Sequence, residues 1–231
     1  RTTSSSLIDN CTVEYGGSAG AGASSYNIRV GSLTASTPTI QNSNIRYSDE
    51  YGIYVTGTGA LTIGGVYTGG IGPQSINEGN YVSFHNTAST KGIYINDGSP
   101  TIQGNFVGTT LTGINVGNAE GIYCAAGADS VNIGGGAGGQ GNVIGFNTDD
   151  GIDINNTSGT VTILGNLVGT NPAYQNCAQG DHGIELGMTG CTVNVGDDSD
   201  AEANITVFNG NDGLSFLAGA SGTVTVMGNY I

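Results

Sequence analysis

The tetrapeptide Pro-Thr-Ile-Gln begins at Pro38 and again at Pro100, and its relatives Val-Thr-Ile-Leu and Val-Thr-Val-Met begin at Val161 and Val224. Successive copies lie 62, 61 and 63 residues apart with a looser copy between them, so the repeating unit is about 31 residues. A unit that short cannot bury its own apolar face. It becomes stable only by stacking on its neighbours, which commits the chain to a solenoid.

Each unit reads as three short strands. The first follows the pattern Gly-(Ile or Leu)-x-apolar at Gly52 to Val55, Gly92 to Ile95, Gly121 to Cys124, Gly151 to Ile154, Gly183 to Leu186 and Gly213 to Phe216, with Asn27 to Val30 as a divergent copy. The second is typified by Thr101-Ile102, Val131-Asn132-Ile133 and Val161-Thr162-Ile163. The third is expected to open on an asparagine at every turn, namely Asn10, Asn44, Asn80, Asn105, Asn142, Asn166, Asn204 and Asn229. Apolar residues come in short runs, and no long window carries helical spacing. The expected fold is therefore all-β: a right-handed parallel β-helix (β-solenoid) with three short strands per turn of about 31 residues and about seven turns, one domain over residues 1–231. At ~4.8 Å per turn the rod is roughly 35 Å long. The right hand follows the rule for parallel crossovers. Alternation within each first strand puts Ile152 and Ile154 inward and Asp153 outward.

Composition narrows the function. The formal net charge is −14, and the only basic side chains are Arg1, Arg29, Arg46 and Lys91. Such a chain repels a phosphate backbone, which excludes nucleic acid. No apolar run reaches the length of a membrane span. Low lysine with 43 glycines and abundant Asn, Ser and Thr fits an extracellular or cell-surface setting. The chain starts at Arg1 in mid-pattern and stops at Ile231 inside a strand, as expected of a segment of a longer secreted protein. Solenoid ends left bare in this way would associate end to end or meet neighbouring domains of the same polypeptide.

The stretch from Val131 to Thr170, VNIGGGAGGQGNVIGFNTDDGIDINNTSGTVTILGNLVGT, resembles the repeat of large secreted bacterial and archaeal right-handed parallel β-helix proteins. The resemblance is close over Leu61 to Ile231 and looser over Ser6 to Val55. It implies the same fold and hand. In function that family spans adhesins, stalks and surface proteins, so the resemblance implies a non-catalytic structural or adhesive segment of a surface protein, stalk or filament.

Three groups of residues carry other chemistry. Tyr54, Tyr94 and Tyr123 occupy one outward position on successive turns, a ladder that covers the sheet and offers faces to sugar rings. The same column continues as Asp153, Glu185 and Ser215. With Asp149, Asp150, Asp181 and Asp212 in the preceding turns, this makes an acidic patch of hard oxygen donors that suits calcium, with Asn147 and Asn211 nearby. Asp153 and Glu185 are also spaced as a retaining glycosidase would need. The patch is expected to lie in open surface, without an aromatic wall and with no Lys or Arg to pair with, which favours solvation over catalysis and leaves a glycan-binding module or a polysaccharide hydrolase as the alternatives. A polygalacturonase-like site is excluded: Asn147-Thr148-Asp149 and His182-Gly183 match parts of that motif, but no Arg or Lys follows Lys91 to hold a uronate carboxylate. Of the cysteines, Cys11 and Cys124 are expected inside, and Cys177 and Cys191 are candidates for a disulfide.

Overall fold

The computed structural model describes residues 6–16, 25–31, 37–57, 59–66, 78–85, 87 and 89–231. Among them are 22 strands in three parallel sheets of seven, eight and seven. Each strand pairs only with those one turn before and one turn after, so the chain coils as a right-handed parallel β-helix with three strands per turn. The first sheet is built from Tyr26–Val30, Tyr51–Thr56, Lys91–Asp97, Glu120–Cys124, Ile152–Ile154, Ile184–Leu186 and Leu214–Phe216. The second runs from Leu7–Asp9 to Ser221–Val226 and includes Thr101–Gln103, the third from Thr12–Glu14 to Ile205–Thr206.

The core is a set of vertical columns. Ile28, Ile53, Ile93, Ile122, Ile152, Ile184 and Leu214 are Cα partners in turn, and Val30, Val55, Ile95, Cys124, Ile154 and Leu186 stand beside them; Phe216 continues that register on the last described turn but, with no turn stacked on it, is 54% exposed and not part of the expected buried column. The isoleucines from Ile53 to Ile184 are fully buried. The glycine before each one is a close-approach position: a Cβ on Gly151 would meet Gly183 O at 2.7 Å and Val168 Cγ1 at 2.8 Å. At the corner before the third sheet Gly104 has φ of +64°, where a Cβ would lie 2.1 Å from Gly65 O.

Two ladders of buried amides seal the corners. In the first, Asn80, Asn105, Asn142, Asn166 and Asn204 each pass a hydrogen bond of 2.9 Å from Nδ2 to the Oδ1 of the next, and the ladder ends on Asn229. Each also donates to a carbonyl of the second-sheet strand inside, as Asn142 does to Ile102 O at 2.8 Å. Toward the N-terminus the column continues as Ser43 and Cys11. The expected asparagines Asn10 and Asn44 are therefore one residue off it: Asn44 is exposed and pairs with Tyr81, and Asn10 is a turn residue with φ of 52°. The second ladder runs through His85, Asn118, Asn147 and Gln179 at the corner leading into the first sheet. Asn147 is thus a buried structural amide and no oxygen ligand for the acidic patch.

The cysteine expectations change. Cys124 is buried in the core, but Cys11 sits exposed at a corner. Cys177 and Cys191 are both free thiols, on different elements. Cys191 packs inward in the second-sheet strand Thr189–Val195, while Cys177 lies in a loop with its Sγ 3.9 Å from Thr109 Oγ1. The expected disulfide is absent because one thiol faces the core and the other faces the loop.

Candidate functional site

Two outward columns run along the first sheet on either side of the stacked Gly-Ile pairs. The first holds Tyr26, Tyr51, Lys91 and Glu120 in register. Backbone bonds from Gly121 N to Asp150 O, Gly151 N to His182 O and Gly183 N to Asp212 O extend it through Asp150, His182 and Asp212. The second column holds Arg29, Tyr54, Tyr94, Tyr123, Asp153, Glu185 and Ser215. The face is aromatic over its first turns and acidic over the following ones.

The aromatic part is larger than the three expected rings. Tyr54 and Tyr94 stack at 5.1 Å between centroids, and Tyr123 meets Tyr94 edge-on at 5.1 Å. Tyr26 and Tyr51 join them, Tyr51 lying 4.8 Å from Tyr94. All five are half-buried, with one side of the cluster open to solvent. Lys91 marks the boundary: its ammonium contacts Glu120 and stands 4.7 Å over the Tyr123 ring.

The acidic part is not open surface. Glu120, Asp150 and Asp153 are only 4%, 5% and 8% exposed, and Tyr123 forms a wall beside Asp153. Asp149 and Asp212 are exposed at the rim, and Asp181 and Glu185 lie between. The expected absence of cationic partners is also corrected, since Lys91 pairs with Glu120. His182 Nδ1 is 3.2 Å from Asp150 Oδ1, 3.3 Å from Asp181 Oδ1 and 3.2 Å from Glu185 Oε2, and its Nε2 is 3.6 Å from Asp212 Oδ2. One oxygen from each of Asp150, Asp153 and Glu185 lies within 4.8 Å of the others, and Asp150, Asp181 and His182 form a second such trio.

Crowding and burial decide the protonation states. Burial, then the charges of Glu120, Glu185 and Asp150, push the Asp153 carboxyl up to about 8. Glu120 is also raised, by burial first and by Asp149 and Asp150, against the pull of Lys91. Asp150 and Glu185 are raised too, mainly by burial, with His182 opposing. The phenol of Tyr123 is pushed up to about 12 by burial and by Asp153.

No family model, curated protein or solved structure matches this chain. The function therefore has to be read from the site itself. Alternation within a 31-residue repeat was enough to align Tyr54, Tyr94, Tyr123, Asp153 and Glu185 on one column. Alternation does not mark Tyr26, Tyr51 and Lys91 as its neighbours, although each stands three residues before an outward residue, at the place held by Glu120, Asp150, His182 and Asp212 on later turns.

Proposed function

We propose that this solenoid is an extracellular adhesive segment whose first-sheet face binds an extended polysaccharide along the helix axis. The observation that carries the reading is the alignment of the tyrosine cluster and the carboxylate cluster end to end on the same two columns. The half-buried tyrosines pack ring against ring, so they offer a sugar chain a rigid strip of ring edges and phenolic hydroxyls at low entropic cost, and the carboxylates accept hydrogen bonds from hydroxyls or protonated amines. A chain of net charge −14 repels anionic polymers, so the fitting class is an uncharged or amino-bearing glycan. The likeness of the repeat to secreted β-helix proteins supports the extracellular setting.

Affinity electrophoresis through gels containing a neutral β-glucan, a xylan, a deacetylated chitin or a polyuronate tests this. Retardation is expected in at least one of the first three and not in the polyuronate gel. Tyr94→Ala should weaken binding about tenfold, the size of losing one aromatic anchor. Equal retardation of Tyr94→Ala and parent, or preference for the polyuronate, overturns the reading. A second reading, hydrolysis by Asp153 and Glu185, is favoured by one observation: an oxygen of Asp153 lies within 4.8 Å of one of Glu185, and burial with the charge of Glu120 pushes the Asp153 carboxyl up to about 8, as a general acid beside a second carboxylate requires. Release of new reducing ends by the parent and not by Asp153→Asn would move that reading into first place.

A further inference from the structure

We propose that the outer face of the second sheet binds the surface of ice. Two outward columns run along that face, with one inward residue between them on every turn. One column is Thr39, Thr62, Thr101, Asn132, Thr162, Asn194 and Thr225, each the Cα partner of the next. The other stands two residues earlier, as Thr37, Ala60, Ser99, Ser130, Thr160, Thr192 and Thr223. Its last three members are paired in direct register. The residue between each pair turns to the core, where Leu61, Val131, Val161 and Val193 are buried.

These side chains share one chemistry. Nine of the fourteen are Thr, two are Ser, two are Asn and one is Ala. In a chain of net charge −14, neither column holds a charged, aromatic or large aliphatic residue. The outward columns of the first sheet, by contrast, carry Arg29, Lys91, Glu120, Asp153 and Glu185. All fourteen are exposed or half-buried, and none makes a side-chain hydrogen bond with the described residues. Threonines elsewhere use their hydroxyls within the fold: those of Thr56, Thr87, Thr90, Thr157 and Thr170 each donate to a backbone carbonyl. The hydroxyls of this face are satisfied by water alone.

Spacing selects the partner. Neighbours within a column are about 4.8 Å apart, and the two columns, two strand residues apart, are separated by about 6.6 Å. The array repeats in two perpendicular directions, at intervals close to those of the oxygen lattice on the prism face of ice. A single polymer chain repeats in one direction and would use one column, whereas a crystalline surface uses both. Threonine suits this task because its β-branch restricts χ1, so methyl and hydroxyl keep one orientation from rank to rank. The buried amide ladder holds the sheet in register from its corner, as Asn142 does through Ile102 O. Each hydroxyl donates and accepts as a lattice water does, and the methyls order the waters between them. A shallow groove of about 240 Å³ gives such waters room; Thr162, Asn194, Thr225, Leu164 and Met227 line it, with Asp197 at the corner. A protein partner would need aromatic or aliphatic anchors, which the columns do not offer.

Melting and freezing of single ice crystals in solutions of the whole chain test this, with crystal shape as a second readout. A gap between the two temperatures that widens with protein concentration is expected, together with faceted crystals. Thr162→Tyr sets a large ring in the middle of the array, and tyrosine is well tolerated in strands, so the fold should hold while most of the gap is lost. Asn132→Lys, at an exposed position of the same column, should do the same by adding a charge. Thr112→Lys adds that charge in the loop after the strand Phe106–Val107, away from this face, and should leave the gap unchanged. The proposal fails if the parent produces neither a gap nor faceted crystals. It fails equally if both Thr162→Tyr and Asn132→Lys, folded, act as the parent does, or if Thr112→Lys loses as much as they do. Adsorption to crystalline cellulose or chitin that Thr162→Tyr abolishes, without any effect on ice, would assign the face to a polysaccharide surface and overturn it too. The glycan reading of the first sheet is tested separately through Tyr94→Ala.

Discussion

His85 stands where its column otherwise uses amides, and its imidazole performs the same two tasks. Nδ1 accepts from Ser48 N at 3.0 Å and Nε2–H donates to Ile45 O at 3.2 Å, just as Asn118 one turn on accepts from His85 N and donates to Val82 O. That pattern requires the neutral ring, because a proton on Nδ1 would face a backbone N–H. Burial lowers the pKa to about 4 from the usual 6.5. Between those values the unfolded chain binds a proton that the folded chain refuses, so the contribution of His85 to stability is complete above pH 6.5 and declines as the pH falls toward 4. The shift corresponds to about 3 kcal/mol over that window. His85→Asn should keep the column intact and flatten the decline, measured as denaturation midpoint against pH. An unchanged slope in the variant would show that other groups set it.

At the scale of elements, the asparagine ladder separates structural from incidental asparagines. Asn142 receives bonds from Asn105 N and Nδ2 at 3.0 and 2.9 Å and gives bonds to Asn166 Oδ1 and Ile102 O, all buried. Asn142→Ala should cost about 2–4 kcal/mol in urea denaturation, since several buried partners lose their mate at once. Asn44→Ala, at an exposed position off the ladder, should stay within about 0.5 kcal/mol of the parent. Both residues open an apparent third strand in the sequence, which shows where sequence reading stops. Strand alternation and the repeat period determine which residues share a column, so the isoleucine core and the line from Tyr54 to Glu185 were legible. Corners are different, because their lengths vary from turn to turn and a shift of one residue moves Asn10 and Asn44 off the ladder. The second ladder was hidden because His85 and Gln179 stand in for asparagine. Burial of Asp150 and Asp153 was hidden too, since it depends on how Tyr123, Lys91 and His182 pack across turns, which no alternation rule describes.

Across the whole molecule, charge is distributed unevenly along the axis. Residues 1–91 carry five acids and all four bases, whereas residues 92–231 carry 13 acids and neither Lys nor Arg. The turns from Glu120 onward therefore form a rod of like charge, with His182 and the Lys91 contact as the only offsets near its densest point. Self-repulsion of this kind destabilises the compact state and is long-ranged enough to be screened by salt, with a Debye length of about 30 Å at 0.01 M and about 3 Å at 1 M. The Lys91–Glu120 pair is almost buried and loses little to screening, while the Arg46–Glu14 pair at 3.2 Å is exposed and contributes little in any case. Repulsion should dominate the balance. The melting temperature is expected to rise by a few degrees between about 0.01 and 0.5 M sodium chloride, because about 1 kcal/mol of relieved repulsion moves the midpoint by that amount in a domain of this size. Amide exchange at low salt should be faster in the exposed edges of residues 92–231 than at matching positions nearer the N-terminus, and this contrast should fade as salt is added. A melting temperature that falls with salt would mean that attractive pairs outweigh the acidic rod.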